Sequence, residues 1–164
     1  MGLPIKMKPG FVVLALVLLV PGERAHAQPA PSEPPYCAQL QQIAALALTK
    51  DRFASITGKS RDGDFTDTTL PLTGWKDCSL YGARNYSCDS REFPTAEAAE
   101  QAQAGIVRDI QACLGRAWSE AKDRSSPSYV VLHSATAPLS ITLSRDETDT
   151  KQYLVRLILF ARGR

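Results

Sequence analysis

Histidine is almost missing from this chain: there are two, His26 and His133. His26 falls within an expected export signal, so a Ser–His–Asp enzyme would have to rest on His133. No Gly-x-Ser-x-Gly elbow accompanies it. Ser134, its neighbour, would point to the opposite face of a strand. His133 is therefore expected at a strand end, at solvent or the rim of the core, with no nucleophile to serve. Gly-rich phosphate loops and paired-histidine metal motifs are lacking too. So is Cys-x-x-Cys, which removes a thiol–disulfide exchange reading. The apolar run Phe11–Val20 has ten residues, against the ~20 that a membrane-spanning helix needs.

Charge excess is also lacking. Of 19 basic and 17 acidic residues, three basic ones (Lys6, Lys8, Arg24) and one acidic one (Glu23) precede residue 28. The rest of the chain is therefore formally neutral. A neutral domain has no electrostatic drive toward nucleic acid, nor toward an anionic membrane surface.

What is present at the N-terminus has the grammar of a secretory signal. Lys6 and Lys8 precede the apolar run, Pro21-Gly22 breaks it, and Ala25-His26-Ala27 supplies small residues for cleavage after Ala27. Residues 1–27 are expected to be removed, and the mature protein to be periplasmic or secreted, free of the membrane. A lipid anchor would need a cysteine directly after the signal, and the first, Cys37, lies ten residues beyond Ala27. Residues 28–35, Gln-Pro-Ala-Pro-Ser-Glu-Pro-Pro, form an extended proline-rich leader. Residues 36–164 are enough for one domain with one core.

Four cysteines in an exported chain, Cys37, Cys78, Cys88 and Cys113, predict two disulfides. They lack the closely spaced pairs of a zinc site. Two pairings join inward-facing cysteines. Cys37–Cys78 with Cys88–Cys113 ties each helix to a hairpin and is preferred. Cys37–Cys113 with Cys78–Cys88 requires a direct cross-strand bridge, which has tight geometry.

Helical spacing of Cys37, Leu40, Ile43, Ala44, Ala47 and Leu48 predicts a first helix from Tyr36 to about Ile56. Residues 59–69 are expected to be a polar loop. Its Asp62, Asp64 and Asp67 lack the glycine that a calcium loop requires at its sixth position. Trp75–Tyr81 and Arg84–Phe93 predict a hairpin whose turn is centred on Ala83, with Cys78 opposite Cys88 and Leu80 opposite Tyr86. Trp75 and Tyr81 are then assigned to the other face. A second helix is expected from the Thr95 cap to Trp118, with Gly105 allowing close approach of a neighbouring element. Residues 128–133, 139–144 and 152–162 predict three strands, with a polar loop at 145–150. The last strand is apolar on both faces, which calls for a second cover or an interface.

The order α-β-β-α-β-β-β predicts an α+β two-layer sandwich, with an antiparallel sheet of about five strands and two helices on one face. It hints at a loosely duplicated plan, without a convincing sequence repeat. No catalytic, cofactor-binding or metal-binding residue is expected. The missing motifs favour a non-enzymatic binding or accessory module: an inhibitor, an immunity-like protein or a subunit of an envelope complex. Its partner would be another envelope or secreted protein, or a second copy of the chain. The expected surface is the sheet face away from the helices, with Trp75, Tyr81, Leu154, Arg156, Ile158 and Phe160. The alternative is a small hydrolase using two carboxylates from Asp77, Asp89, Glu92 and Asp109, for which their separation would be decisive.

Overall fold

The structure, a computed structural model, describes residues 33–82 and 84–162. The expected signal peptide, most of the leader and the expected turn centre Ala83 lie outside these residues. The elements are α1 (Cys37–Leu46), a 3-10 turn (Ala54–Ile56), β1 (Thr57–Ser60), β2 (Phe65–Thr68), β3 (Lys76–Tyr81), β4 (Asn85–Asp89), α2 (Ala96–Leu114), β5 (Trp118–Glu120), β6 (Tyr129–Ser134), β7 (Leu139–Glu147) and β8 (Tyr153–Ala161). The class is α+β, as expected. The sheet is larger than expected, with eight antiparallel strands in the order β1-β2-β3-β4-β8-β7-β6-β5. No helix among the described residues is long and apolar enough to cross a membrane.

The three unexpected strands have a shared physical cause. Thr57-Gly-Lys-Ser and Phe65-Thr-Asp-Thr carry almost no apolar alternation, because β1 and β2 lie at and next to a sheet edge. Short polar strands are a common way to blunt such an edge. At the other edge, β5 begins at Trp118, which was expected to close the second helix. Gly115 ends that helix first, at φ 84°, and its N–H donates to the Gln111 carbonyl. Glycine reaches this left-handed conformation without steric cost. Trp118 then buries its ring as the first residue of β5.

The first helix also stops short. After Leu46 the Thr49 hydroxyl donates to the Leu46 carbonyl at 2.8 Å, a local bond that competes with helix continuation. The chain turns through Arg52 at φ 48° and buries Phe53 and Ile56, while Leu48 stays exposed. Helical spacing from Leu40 and Ile43 would have buried Leu48 instead.

The duplicated plan is plainer in three dimensions than in sequence. A helix followed by a four-stranded meander occurs twice, and the last strand of each half, β4 and β8, pair at the centre of the sheet. One face of the sheet supplies Leu80, Tyr86, Ile141, Leu143, Leu157 and Leu159 to a single buried cluster. From the helices, Leu40, Ile43, Ala99 and Ile110 join the same cluster. Thr95 caps α2 by accepting a hydrogen bond from the Ala98 N–H at 3.2 Å. Buried Gln103 reaches from α2 to the sheet, where its amide donates to the Leu143 carbonyl at 2.8 Å.

Both disulfides form, in the pairing that was not preferred: Cys37–Cys113 and Cys78–Cys88. Cys37 on α1 and Cys113 on α2 stand 5.1 Å apart between Cα atoms because the helices pack on one another. Cys78 and Cys88 face each other across β3 and β4 at 4.1 Å. That is close to the ~4.5 Å of a non-hydrogen-bonded antiparallel pair, the spacing at which opposite side chains meet most closely.

Gly105 does not mark a close approach. A β-carbon there would meet only the Arg108 guanidinium, at 3.8 Å. Its φ is ordinary, so Gly105→Ala is expected to raise the unfolding free energy by about 1 kcal/mol through helix propensity. Urea denaturation checks this, and a loss of stability would show a constraint that the packing does not reveal.

Candidate functional site

The open face of the sheet takes its character from side-chain parity. Ser79 and Tyr81 on β3, Asn85, Ser87 and Asp89 on β4, and Arg156 and Ile158 on β8 alternate with the core-facing residues. Register brings them side by side: Ser79 opposite Ser87, Ser87 opposite Ile158, Asp89 opposite Arg156. Together they floor a cleft of 600 Å³. Short polar side chains in the floor leave the depression, and longer ones raise its walls.

One end of the cleft is aromatic. The rings of Phe65 on β2 and Tyr81 on β3 lie 5.0 Å apart at a tilt of 47°, yet both remain over 40% exposed, at 43% and 45%. Arg61 and Asp62, from the β1–β2 connection, border this end, and Arg61 is ion-paired with Asp67. The other end is charged. Arg156 grips Asp89 with two hydrogen bonds, Nε to Oδ1 at 2.8 Å and an Nη to Oδ2 at 3.1 Å. It also pairs with Asp146 at 3.2 Å. The Asp89 hydrogen bonds, together with the nearby carboxylates, push the Arg156 guanidinium further above its usual range. Asp77 completes this end of the cleft.

Of the residues expected on this face, the cleft gathers Tyr81, Arg156 and Ile158. Leu154 and Phe160 lie on the same half-buried side of β8 without lining it. Trp75 is elsewhere. One extra residue between Lys76 and Ser79 relative to β4 makes a bulge, with Asp77 at φ 45°. A bulge reverses strand parity. Trp75 consequently turns to the core side and packs edge-on against Tyr36, ring centres 5.9 Å apart. The segment 59–69, expected as a loop, extends the face as β1 and β2 and supplies Phe65. A lone aromatic in a polar stretch was the available signal for that residue.

The carboxylates separate into two groups. Asp77 and Asp89 share the cleft. Asp109 lies on α2 and accepts a hydrogen bond from the Tyr36 hydroxyl at 3.2 Å. Burial, and then the Asp109 charge, push that phenol well above its usual range. Glu92 is exposed beyond β4. His133 is half-buried on β6 opposite Ser140. Ser134 faces the other way and accepts from the Thr136 and Ala137 N–H groups, at 3.3 and 3.1 Å. Among the described residues no three histidine, cysteine or acidic side chains converge as metal ligands would. No family model, curated protein or solved structure matches the chain.

Proposed function

We propose that this chain is an exported, disulfide-stapled binding module, and that its partner seats on the open face over β2, β3, β4 and β8. The observation that carries the reading is the cleft: a small-residue floor beside two aromatic rings that share a contact and stay exposed. Exposed paired aromatics at a depression are typical anchors of recognition surfaces. Two disulfides suit an oxidising compartment, and the signal-like N-terminus suits export.

The hydrolase reading draws on Asp77 and Asp89 sharing the cleft. Against it, both Asp89 oxygens already accept from Arg156. A carboxylate with both oxygens engaged in a guanidinium fork is not free to act on a substrate without giving up that fork.

The experiment is site-specific photo-crosslinking in cells, with a benzophenone side chain placed at Phe65 or, as a control, at Leu48. Both positions are exposed, and Leu48 is on the α1 side. A discrete adduct from Phe65, absent from Leu48 and lost when Tyr81→Ser is added, is the expected result. Equal adducts from both positions, or none from Phe65, would overturn the reading. An adduct with the mass of two copies would identify a homodimer as the occupant.

A further inference from the structure

The charges in the cleft are unequally compensated. Both guanidiniums at its border are occupied, Arg61 by Asp67 and Arg156 by Asp89 and Asp146. Asp62 and Asp77 also line the cleft, and among the described residues neither makes an ion pair or a side-chain hydrogen bond. The lining therefore carries three carboxylates, Asp62, Asp77 and Asp89, against two guanidiniums, a negative excess that disfavours a phosphate or an acidic peptide. The two exposed rings add negative π-faces at the Asp62 end, where an ammonium or guanidinium gains cation–π attraction.

The two unpaired carboxylates occupy opposite ends. Phe65 pairs with Tyr81, so Asp62, three residues before Phe65, lies beyond the Tyr81 end of β3. Asp77 lies four residues back along β3. One of those four is the bulge residue, so the stretch spans about 10 Å, and the place of Asp62 beyond Tyr81 adds about one residue more. A single cation cannot satisfy both ends, but an extended peptide with basic residues about four positions apart can.

Resting on the reading of this face as the binding surface, we infer that the cleft takes an extended segment of a partner protein bearing two lysines or arginines about four positions apart. One cation sits by Asp62 against the Phe65–Tyr81 rings, and the other by Asp77. Ser79, Asn85 and Ser87 face the segment between them.

The test follows backbone amide resonances of the ¹⁵N-labelled exported protein during titration with four probes. These are a short peptide amide with lysines four positions apart, its twin with both lysines acetylated, a glutamate twin, and spermine. The lysine peptide is expected to shift Ser79, Tyr81, Asn85 and Ser87 saturably, and to weaken several-fold as salt rises from about 50 to about 200 mM. Acetylation, or the double substitution Asp62→Asn with Asp77→Asn, is expected to weaken it about tenfold. Asparagine tolerates the left-handed backbone at position 77 as aspartate does, and unmoved α2 amides verify the fold. The inference is overturned if the acetylated or glutamate twin binds as tightly as the parent. It is also overturned if the lysine peptide shifts nothing, or if spermine binds as well as the peptide, which would assign the site to polyamines. An intact Phe65 crosslink with no response to the lysine peptide removes the cationic class and leaves the binding surface standing.

Discussion

Replacing Cys37 and Cys113 together by alanine is expected to lower the unfolding free energy by about 4.5 kcal/mol, on the chain-entropy account of disulfides. The bridge joins residues 76 apart, so without it the unfolded chain regains the freedom of a long loop. The Cys78–Cys88 bridge closes a separation of 10 residues, and the same account gives about 2.5 kcal/mol for its removal. Urea denaturation of the two double variants should therefore place Cys37→Ala/Cys113→Ala lower in midpoint. The reverse order would show that local strand geometry, rather than loop length, sets the value of each bridge.

Phe53→Ala is expected to cost about 4 kcal/mol, within the range for large core truncations. Phe53 is fully buried, and its ring centre lies 6.2 Å from that of Tyr86. Tyr86 is itself fixed in place, its hydroxyl donating to the Leu70 carbonyl at 2.8 Å. Removal of the Phe53 ring leaves a cavity between the segment after α1 and the centre of the sheet. Denaturation of the variant measures the cost. A loss below about 1 kcal/mol would mean that the segment relaxes to fill the space.

These two variants also mark where sequence reasoning succeeded and where it failed. The cysteines were legible as disulfide partners, and the alternation of β3 and β4 gave the correct opposition of Leu80 and Tyr86. The sequence favours the other pairing because a direct cross-strand bridge has tight geometry. Cys78 and Cys88 stand 4.1 Å apart between Cα atoms across their strands. Phe53 was placed in a helix because the apolar periodicity from Leu40 onward continues through Leu48, and periodicity cannot foresee a turn that exchanges Leu48 for Phe53 as the buried residue. The strands β1, β2 and β5, at or next to the sheet edges, are invisible for a different reason. An edge strand owes its place to backbone hydrogen bonds with a neighbour, which leave no mark in side-chain hydropathy.

The candidate site was half legible. Tyr81, Arg156 and Ile158 follow from alternation along strands whose core side is unmistakable. Trp75 was lost to one inserted residue, since a single bulge inverts every assignment beyond it. Phe65, Asp62 and Arg61 come from the stretch taken for a loop, and only the hairpin of β1 and β2 carries them to the face.

The pairing of β4 with β8 at the middle of the sheet has a consequence for the order in which the molecule assembles. Within each half, successive strands are joined by connections that close locally. The central pair instead brings Asn85 to Phe160 and Asp89 to Arg156, residues distant in the chain whose contact carries a larger loop-closure cost. Each meander can zip along its own length before the two meet, so the central ladder is expected to be the slow, late event in refolding. The Cys37–Cys113 bridge links the helices that head the two halves. Once formed, it tethers the meanders to one another and turns their meeting into a short-range search.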